Sequence, residues 1–177
     1  VQYCLRILEA YPKCKFYTNV AIENIPHPER VFEYDGLDCM KDENGEYGIL
    51  YLIDEIHLEW NSLESKNISI EEMTEFAQQR KQRKHIVGTS QVFTRIAKPL
   101  REQMKYIVSC KNFFSLIQFN TLIDGDTIVE TNGEFKFDTI GHFLWFHTKE
   151  LYTCYDTYAK MKRYKKEWNG HPYQKGV

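Results

Sequence analysis

No run of apolar residues in this sequence approaches the about 20 that a helix needs to cross a bilayer, and no stretch has the pattern of a secretory signal peptide. Cysteine is sparse and unpatterned: Cys4, Cys14, Cys39, Cys110 and Cys154 are odd in number, widely spaced and contain no C-x-x-C. That excludes a zinc ribbon and a disulfide framework, and it points to reduced thiols in a cytosol. Charge of one sign is also missing, since the formal net charge is only −2. A balance so close to neutral steers no partner by itself. There is no internal repeat and no low-complexity segment. What remains is ordinary globular composition rich in aromatics, with 12 Tyr and 11 Phe to fill a core. A chain of 177 residues is one domain's worth and can bury a substantial core.

The pattern along the chain alternates between strand and helix. Leu5 and Leu8 between charged Arg6 and Glu9 read as the end of a helix closed by Pro12. Lys15 to Val20 is rich in β-formers and reads as a strand, and E-N-I-P-H-P-E-R as a loop. The polar turn D-E-N-G-E-Y-G delivers the chain into Ile49 to Ile53, five apolar residues without alternation. Such a run suits a strand buried on both faces, as in a parallel sheet. Ser69-x-x-Glu72 has the form of a capping box, with Ile70, Met73, Phe76 and Ala77 following at helical spacing. That helix ends in Arg80-Lys81-Gln82-Arg83-Lys84, a basic cluster that the helix macrodipole favours by itself.

H-I-V-G-T-S-Q is a further strand ending in polar residues, and Pro99 opens a short helix through Gln103. Y-I-V-S-C reads as a third buried strand. The order strand, helix, strand, helix, strand from Gly48 to Cys110 predicts right-handed crossovers and a mainly parallel sheet flanked by helices. From Phe113 onward the short strands and the D-G and N-G turns predict an antiparallel extension over residues 113–148. Tyr155 to Lys166 reads as a helix with a largely basic outer face.

The apolar strand Ile49 to Ile53 runs straight into Asp54 and Glu55. In open α/β sheets, ligands bind beyond the carboxyl ends of the strands. Four or more apolar residues followed by D-E is the form of a Walker B element, where an Asp orients Mg²⁺ beside nucleotide phosphates and a Glu takes a proton from water. The alternative is that both acids cap a turn. In the next strand, Thr89, Ser90 and Gln91 stand where a γ-phosphate sensor would. The six histidines lack metal-ligand spacing, and Cys110 and Cys154 read as buried structural thiols. Trp145 and Phe146 read as core. The Lys160 to Lys166 run could touch nucleic acid or anionic lipid, with a solvated helix face as the default.

L-Y-L-I-D-E-I-H-L-E-W-N-S, then F-A-Q-Q-R-K-Q-R-K-H-I-V-G-T-S-Q, then R-I-A-K-P-L-R-E-Q-M-K-Y-I-V-S-C, then L-Y-T-C-Y-D-T-Y-A-K occur in that order. This succession, over most of the chain from Lys15 to Lys160, resembles the zonular occludens toxin-like ATPases. These are filamentous-phage assembly and morphogenesis proteins within the HerA–FtsK group of P-loop motor ATPases. The resemblance implies one α/β P-loop domain over residues 1–177, ATP with Mg²⁺, and a homo-oligomeric ring working on phage DNA. Phage structural or membrane proteins are further implied partners. The implied location is the bacterial host cytoplasm, with attachment to a membrane or virion through other regions. It makes Asp54 the metal-orienting acid, Glu55 the catalytic acid, Thr89 a nucleotide contact and Gln91 the polar sensor. Arg80, Arg83 and Arg101 are all candidates for a γ-phosphate contact across a subunit boundary.

One element of that family pattern is missing. G-x-x-x-x-G-K-[ST], the phosphate-binding loop, does not occur, and no Gly is followed by Lys. The chain begins inside what would be the helix after that loop, so the expectation is a fragment whose loop precedes Val1. The rival readings are a non-hydrolysing scaffold that keeps the sheet, and a translocase of the same superfamily with other cargo.

Overall fold

The computed structural model describes residues 1–22, 25, 27–114, 116–147 and 174–175. In chain order the elements are α1 (Gln2–Ala10), β1 (Lys15–Thr18), β2 (Val31–Glu33), α2 (Leu37–Met40), β3 (Ile49–Ile53), α3 (Ile70–Gln78), β4 (Lys84–Gly88), α4 (Lys98–Arg101), β5 (Tyr106–Phe113), β6 (Ile117–Asp124), β7 (Val129–Thr131), β8 (Glu134–Lys136), β9 (Thr139–Phe146) and β10 (Gln174–Lys175). They fall into two compact units. One is built on Val1–Ala97 and completed by β10, and the other lies within Lys98–Thr153.

The first unit is α/β. Its sheet has the order β10-β2-β1-β3-β4, and all of its pairings are parallel. Central β3 is buried along its whole length, which is why its sequence shows no alternation. Residues on the two faces separate with the period of two. Phe16, Val31, Leu50 and Leu52 share a cluster with Cys4 and Leu8 of α1. The other face carries Tyr17, stacked on Phe32 and Tyr51, with the Tyr51 hydroxyl donating to Cys39 O of α2. Helix α3 begins in the expected capping box: the Ser69 hydroxyl accepts from Glu72 N while the Glu72 carboxylate accepts from Ser69 N.

The second unit is antiparallel, with β6 central between β5 and β9 and a separate β7–β8 hairpin. Asn132 and Gly133 turn that hairpin with φ of 53° and 81°, the left-handed pair that an N-G turn supplies. The chain as a whole is thus α/β, a mainly parallel sheet flanked by helices plus an antiparallel sheet.

Several local expectations need correction. Y-I-V-S-C is not a third parallel strand, because β5 pairs antiparallel with β6 and most of it is exposed. Ile70 and Ala77 do not face inward; Phe76 is the buried side chain of α3, edge-on to Trp60. Lys84 is no member of a solvated basic cluster. It opens β4, is buried, and its ammonium donates to Met40 O and Glu75. Cys110 is exposed rather than buried, and so is Phe146. Strand β2 and helix α2 follow the expected loop, in a stretch for which the sequence pattern carries no expectation. The helix expected at Tyr155–Lys166, its basic face and Cys154 lie outside the described residues. Among the described residues, no helix is long and apolar enough to cross a membrane.

Candidate active site

Within the first unit, β1 has β2 on one side and β3 on the other, so successive connections leave in opposite directions. At such a switch point a crevice opens beyond the carboxyl ends of the strands. The residue that follows β1 at this end is Asn19, and the residue that follows β3 is Asp54. The Asn19 amide donates to Asp54 O (3.1 Å) and accepts from Asp54 N (2.8 Å), clamping the peptide at the end of β3. Both hydrogen bonds use backbone groups of Asp54 and leave its carboxylate to other partners.

The neighbouring strand supplies the next support. The β3–β4 ladder continues past the strands, with Thr89 N donating to Ile53 O and Ile56 N to Thr89 O. This sets the Thr89 hydroxyl between the two acids, where it accepts from Glu55 N (3.1 Å) and donates to Asp54 Oδ1. Glu55 itself is left-handed, at φ 51° and ψ 49°, a conformation that costs a residue with a side chain about 1–2 kcal/mol. It precedes a single 3₁₀ turn, Ile56–Leu58, and its side chain makes no capping hydrogen bond to that turn. Gly88 at the end of β4 leaves the room this turn needs. A Cβ there would stand 2.6 Å from Ile56 Cδ1 and 3.2 Å from Ile56 Cβ and Cγ2.

The Glu55 carboxylate instead meets side chains. Oε1 accepts from Gln91 Nε2 at 2.8 Å. Oε2 is buried and lies 3.1 Å from His57 Nδ1, within ion-pair distance. It has no aligned hydrogen bond there, because that ring nitrogen is engaged with Ser90 Oγ at 3.0 Å. Ser90 Oγ in turn donates to Val92 O. His57 is buried in the 3₁₀ turn. The result is a carboxylate with one oxygen held and one buried acceptor unsatisfied, in a turn fixed by three strands.

Asp54, Glu55, Thr89 and Gln91 therefore converge. Asn19, His57 and Ser90 join them. Asn19 has no motif around it, and only the parallel register of β1 and β3 brings it in, whereas His57 arrives with the turn that follows Glu55. Arg80 and Arg83 do not converge with the acids. They sit between α3 and β4, at the amino end of a parallel sheet, where Arg83 donates to Glu46 O. Five strand residues at about 3.3 Å each put roughly 16 Å between the two ends. Arg101 belongs to the second unit, where its guanidinium lies 3.7 Å from Glu130 and over the Phe135 ring.

The donor set can be tested against Mg²⁺. No group of three or more His, Cys, Asp or Glu that could hold a metal is present among the described residues. An all-protein cage is thus not offered, and one carboxylate with a neighbouring hydroxyl is. Mg²⁺ typically keeps several waters and takes one or two carboxylates plus substrate phosphates, so Asp54 and Thr89 fit that ion. A phosphate cradle is another matter, since no Gly-Lys pair exists in the sequence.

No protein-family model matches the chain, and no curated protein matches it in sequence. Among solved structures, the N-terminal domain of zonular occludens toxin from Neisseria meningitidis is similar, with a TM-score of 0.51 at 15% identity over 80% of each chain. The genome packaging NTPase B204 from Sulfolobus turreted icosahedral virus 2 gives TM-scores of 0.49 in complex with AMP and 0.47 in complex with ATP-gammaS. Those two comparisons cover 76% of this chain and 86% of that one, at 11% and 10% identity. At these identities the likeness to the toxin domain is one of fold.

Proposed function

We propose that this chain forms the metal-and-water side of an ATP-hydrolysing site in a P-loop motor of a phage or phage-like element, serving DNA packaging or virion assembly. The observation that carries the reading is the convergence of Asp54, Glu55, Thr89 and Gln91 beyond the carboxyl ends of β3 and β4. The shared fold with the zonular occludens toxin domain agrees with it. Asp54 and Thr89 would hold Mg²⁺, which when bound supplies positive charge against the phosphate oxygens of ATP. Glu55 acts as general base. Gln91 holds the carboxylate through Oε1, the oxygen at the exposed side, where the proton of the attacking water would be taken. Asn19 keeps the Asp54 peptide from shifting.

The reading requires a phosphate cradle from outside these 177 residues, because the sequence has no Gly-Lys pair. Arg80 and Arg83, remote from their own acids, are suited only to a neighbouring subunit's site in a homo-oligomeric ring, and Arg101 is the third such candidate. DNA and phage structural or membrane proteins are the proposed partners, and the bacterial host cytoplasm is the proposed location. The missing Gly-Lys pair also favours a second reading, a non-hydrolysing scaffold with the same sheet.

One experiment separates them. In the assembly that includes the phosphate cradle, Glu55→Gln keeps the Gln91 contact but cannot accept a proton. It is expected to bind Mg·ATP normally and to hydrolyse it about 10²–10⁴-fold more slowly. Asp54→Asn is expected to weaken Mg²⁺ dependence and nucleotide affinity together. Normal turnover in Glu55→Gln would overturn the hydrolytic reading in favour of the scaffold.

A further inference from the structure

The antiparallel sheet of the second unit ends in an apolar tip. Phe113 pairs with Ile117, and Ile117 with Phe146, so these three share one sheet face across β5, β6 and β9. Their exposures are 49%, 37% and 66%. The turn between β5 and β6 adds Phe114, 93% exposed, and Leu116, 63% exposed. Leu116 N donates to Phe113 O and His147 N to Leu116 O. Phe114 holds the left-handed region at φ 52°, a rare place for an aromatic residue, and presents its whole ring to solvent.

Among the described residues around the tip, the one formal charge is that of Lys111. Residues 106–123 and 139–147 contain no Asp or Glu, whereas Lys111, His142 and His147 lie among them. Lys111 is exposed and lies on the face of Phe113, two residues behind it, about 7 Å along the strand. The five apolar side chains expose roughly 600 Å² at about 200 Å² each, at the upper end for a patch on a typical monomer. That is short of the about 800 Å² per partner of a standard protein interface.

We propose that this tip inserts into the interfacial layer of a lipid bilayer carrying anionic headgroups. Phe114 and Leu116 enter the acyl boundary, Phe113, Ile117 and Phe146 follow at its edge, and Lys111 stays level with the headgroup phosphates. Apolar burial and a nearby cation are the two terms that make interfacial binding reversible and lipid-dependent. The proposal is independent of the nucleotide reading.

Flotation of the full chain with vesicles of phosphatidylcholine, alone or mixed with phosphatidylglycerol, tests it. Binding is expected to the mixed vesicles, to weaken as salt rises, and to be lower on neutral ones. Phe114→Asp with Leu116→Asp changes only exposed positions and is expected to lower the partition at least about tenfold. Leu63→Asp, at a 92% exposed site in the first unit, is expected to leave it unchanged. Phe114→Trp should shift its emission further to the blue with mixed vesicles than with neutral ones. The proposal fails if the unmodified chain floats with neither vesicle or if the double variant floats as well as it does. It also fails if the double variant dissolves a dimer of a chain that binds no lipid, since the tip is then a protein interface.

Discussion

Glu55 offers a test that reads its backbone apart from its carboxylate. Replacing it with Ala or with Gly removes the same contacts, to Gln91 and beside His57. The two variants differ only in how they tolerate φ 51° and ψ 49°. Left-handed backbone costs Ala about 1–2 kcal/mol and Gly almost nothing. Against this, Gly loses about 0.4–1 kcal/mol more chain entropy on folding. Glu55→Gly is therefore expected to be the more stable of the pair by about 0.5–1 kcal/mol, the reverse of the order in an ordinary helix or strand. For a chain of this length that is a melting-temperature difference of about 1–4 °C. Urea titrations of both variants should show the same slope and a higher midpoint for Gly. If Ala equals or exceeds Gly, the residue is not held left-handed in solution, and the account of how the turn aims this carboxylate fails with it.

Two further expectations concern what surrounds the site. Gly88→Ala would place a methyl 2.6 Å from Ile56 Cδ1, and overpacking of that kind costs about 1–3 kcal/mol. Adding Ile56→Val removes the clashing atom and should restore part of the loss, so a double-mutant cycle in urea that shows no coupling would refute the contact. At the other end of the sheet, Asp42 accepts from Lys15 Nζ (2.6 Å), Tyr17 Oη (2.7 Å) and Glu43 N (2.8 Å). Burial raises its pKa, but these hydrogen bonds outweigh burial and leave it below the ordinary carboxylate value. A carboxyl depressed on folding stabilises the fold above its unfolded pKa, near 4, and the stabilisation is lost as pH falls through the folded value. Asp42→Asn is thus expected to be less stable at neutral pH and to have a shallower acid limb, read from thermal melts below about pH 4; an unchanged limb would refute the linkage.

The parts of this protein that were legible in its sequence are those with a local cause. Ile49 to Ile53 announces burial on both faces, Ser69 and Glu72 announce a helix start, and Asn132-Gly133 announces a hairpin. Asp54, Glu55, Thr89 and Gln91 were readable because they directly follow recognisable strands. Asn19 was not, since its place depends on which strand lies beside which, and strand order is a long-range property; His57 stands only two residues past Glu55, but no ligand spacing singles it out. Lys84 misled for a related reason. Its sequence neighbours are solvated basic residues, while its side chain crosses to Met40 and Glu75. β5 misled because four apolar or small residues look alike whether a second layer covers them or not.

The opening ambiguity of Asp54 and Glu55, ligand groups or turn caps, comes down to which groups satisfy the turn. A capping acid spends its carboxylate on orphan backbone N–H groups. Here other side chains take that task. Asn19 satisfies the N–H and carbonyl of Asp54, and Thr89 satisfies the N–H of Glu55. Glu55, although it stands at the N-cap of the 3₁₀ turn, makes no capping bond to it. Glu55 also sits in a conformation that Gly or Asn would adopt at lower cost. Two neighbouring strands thus supply the polar groups that hold the turn's backbone, and the two carboxylates accept from the Thr89 and Gln91 side chains rather than from backbone N–H groups. Local economy does not explain an arrangement that concentrates negative charge where sheet topology opens a crevice. The Mg²⁺ and nucleotide proposed above for this end of the sheet would account for it.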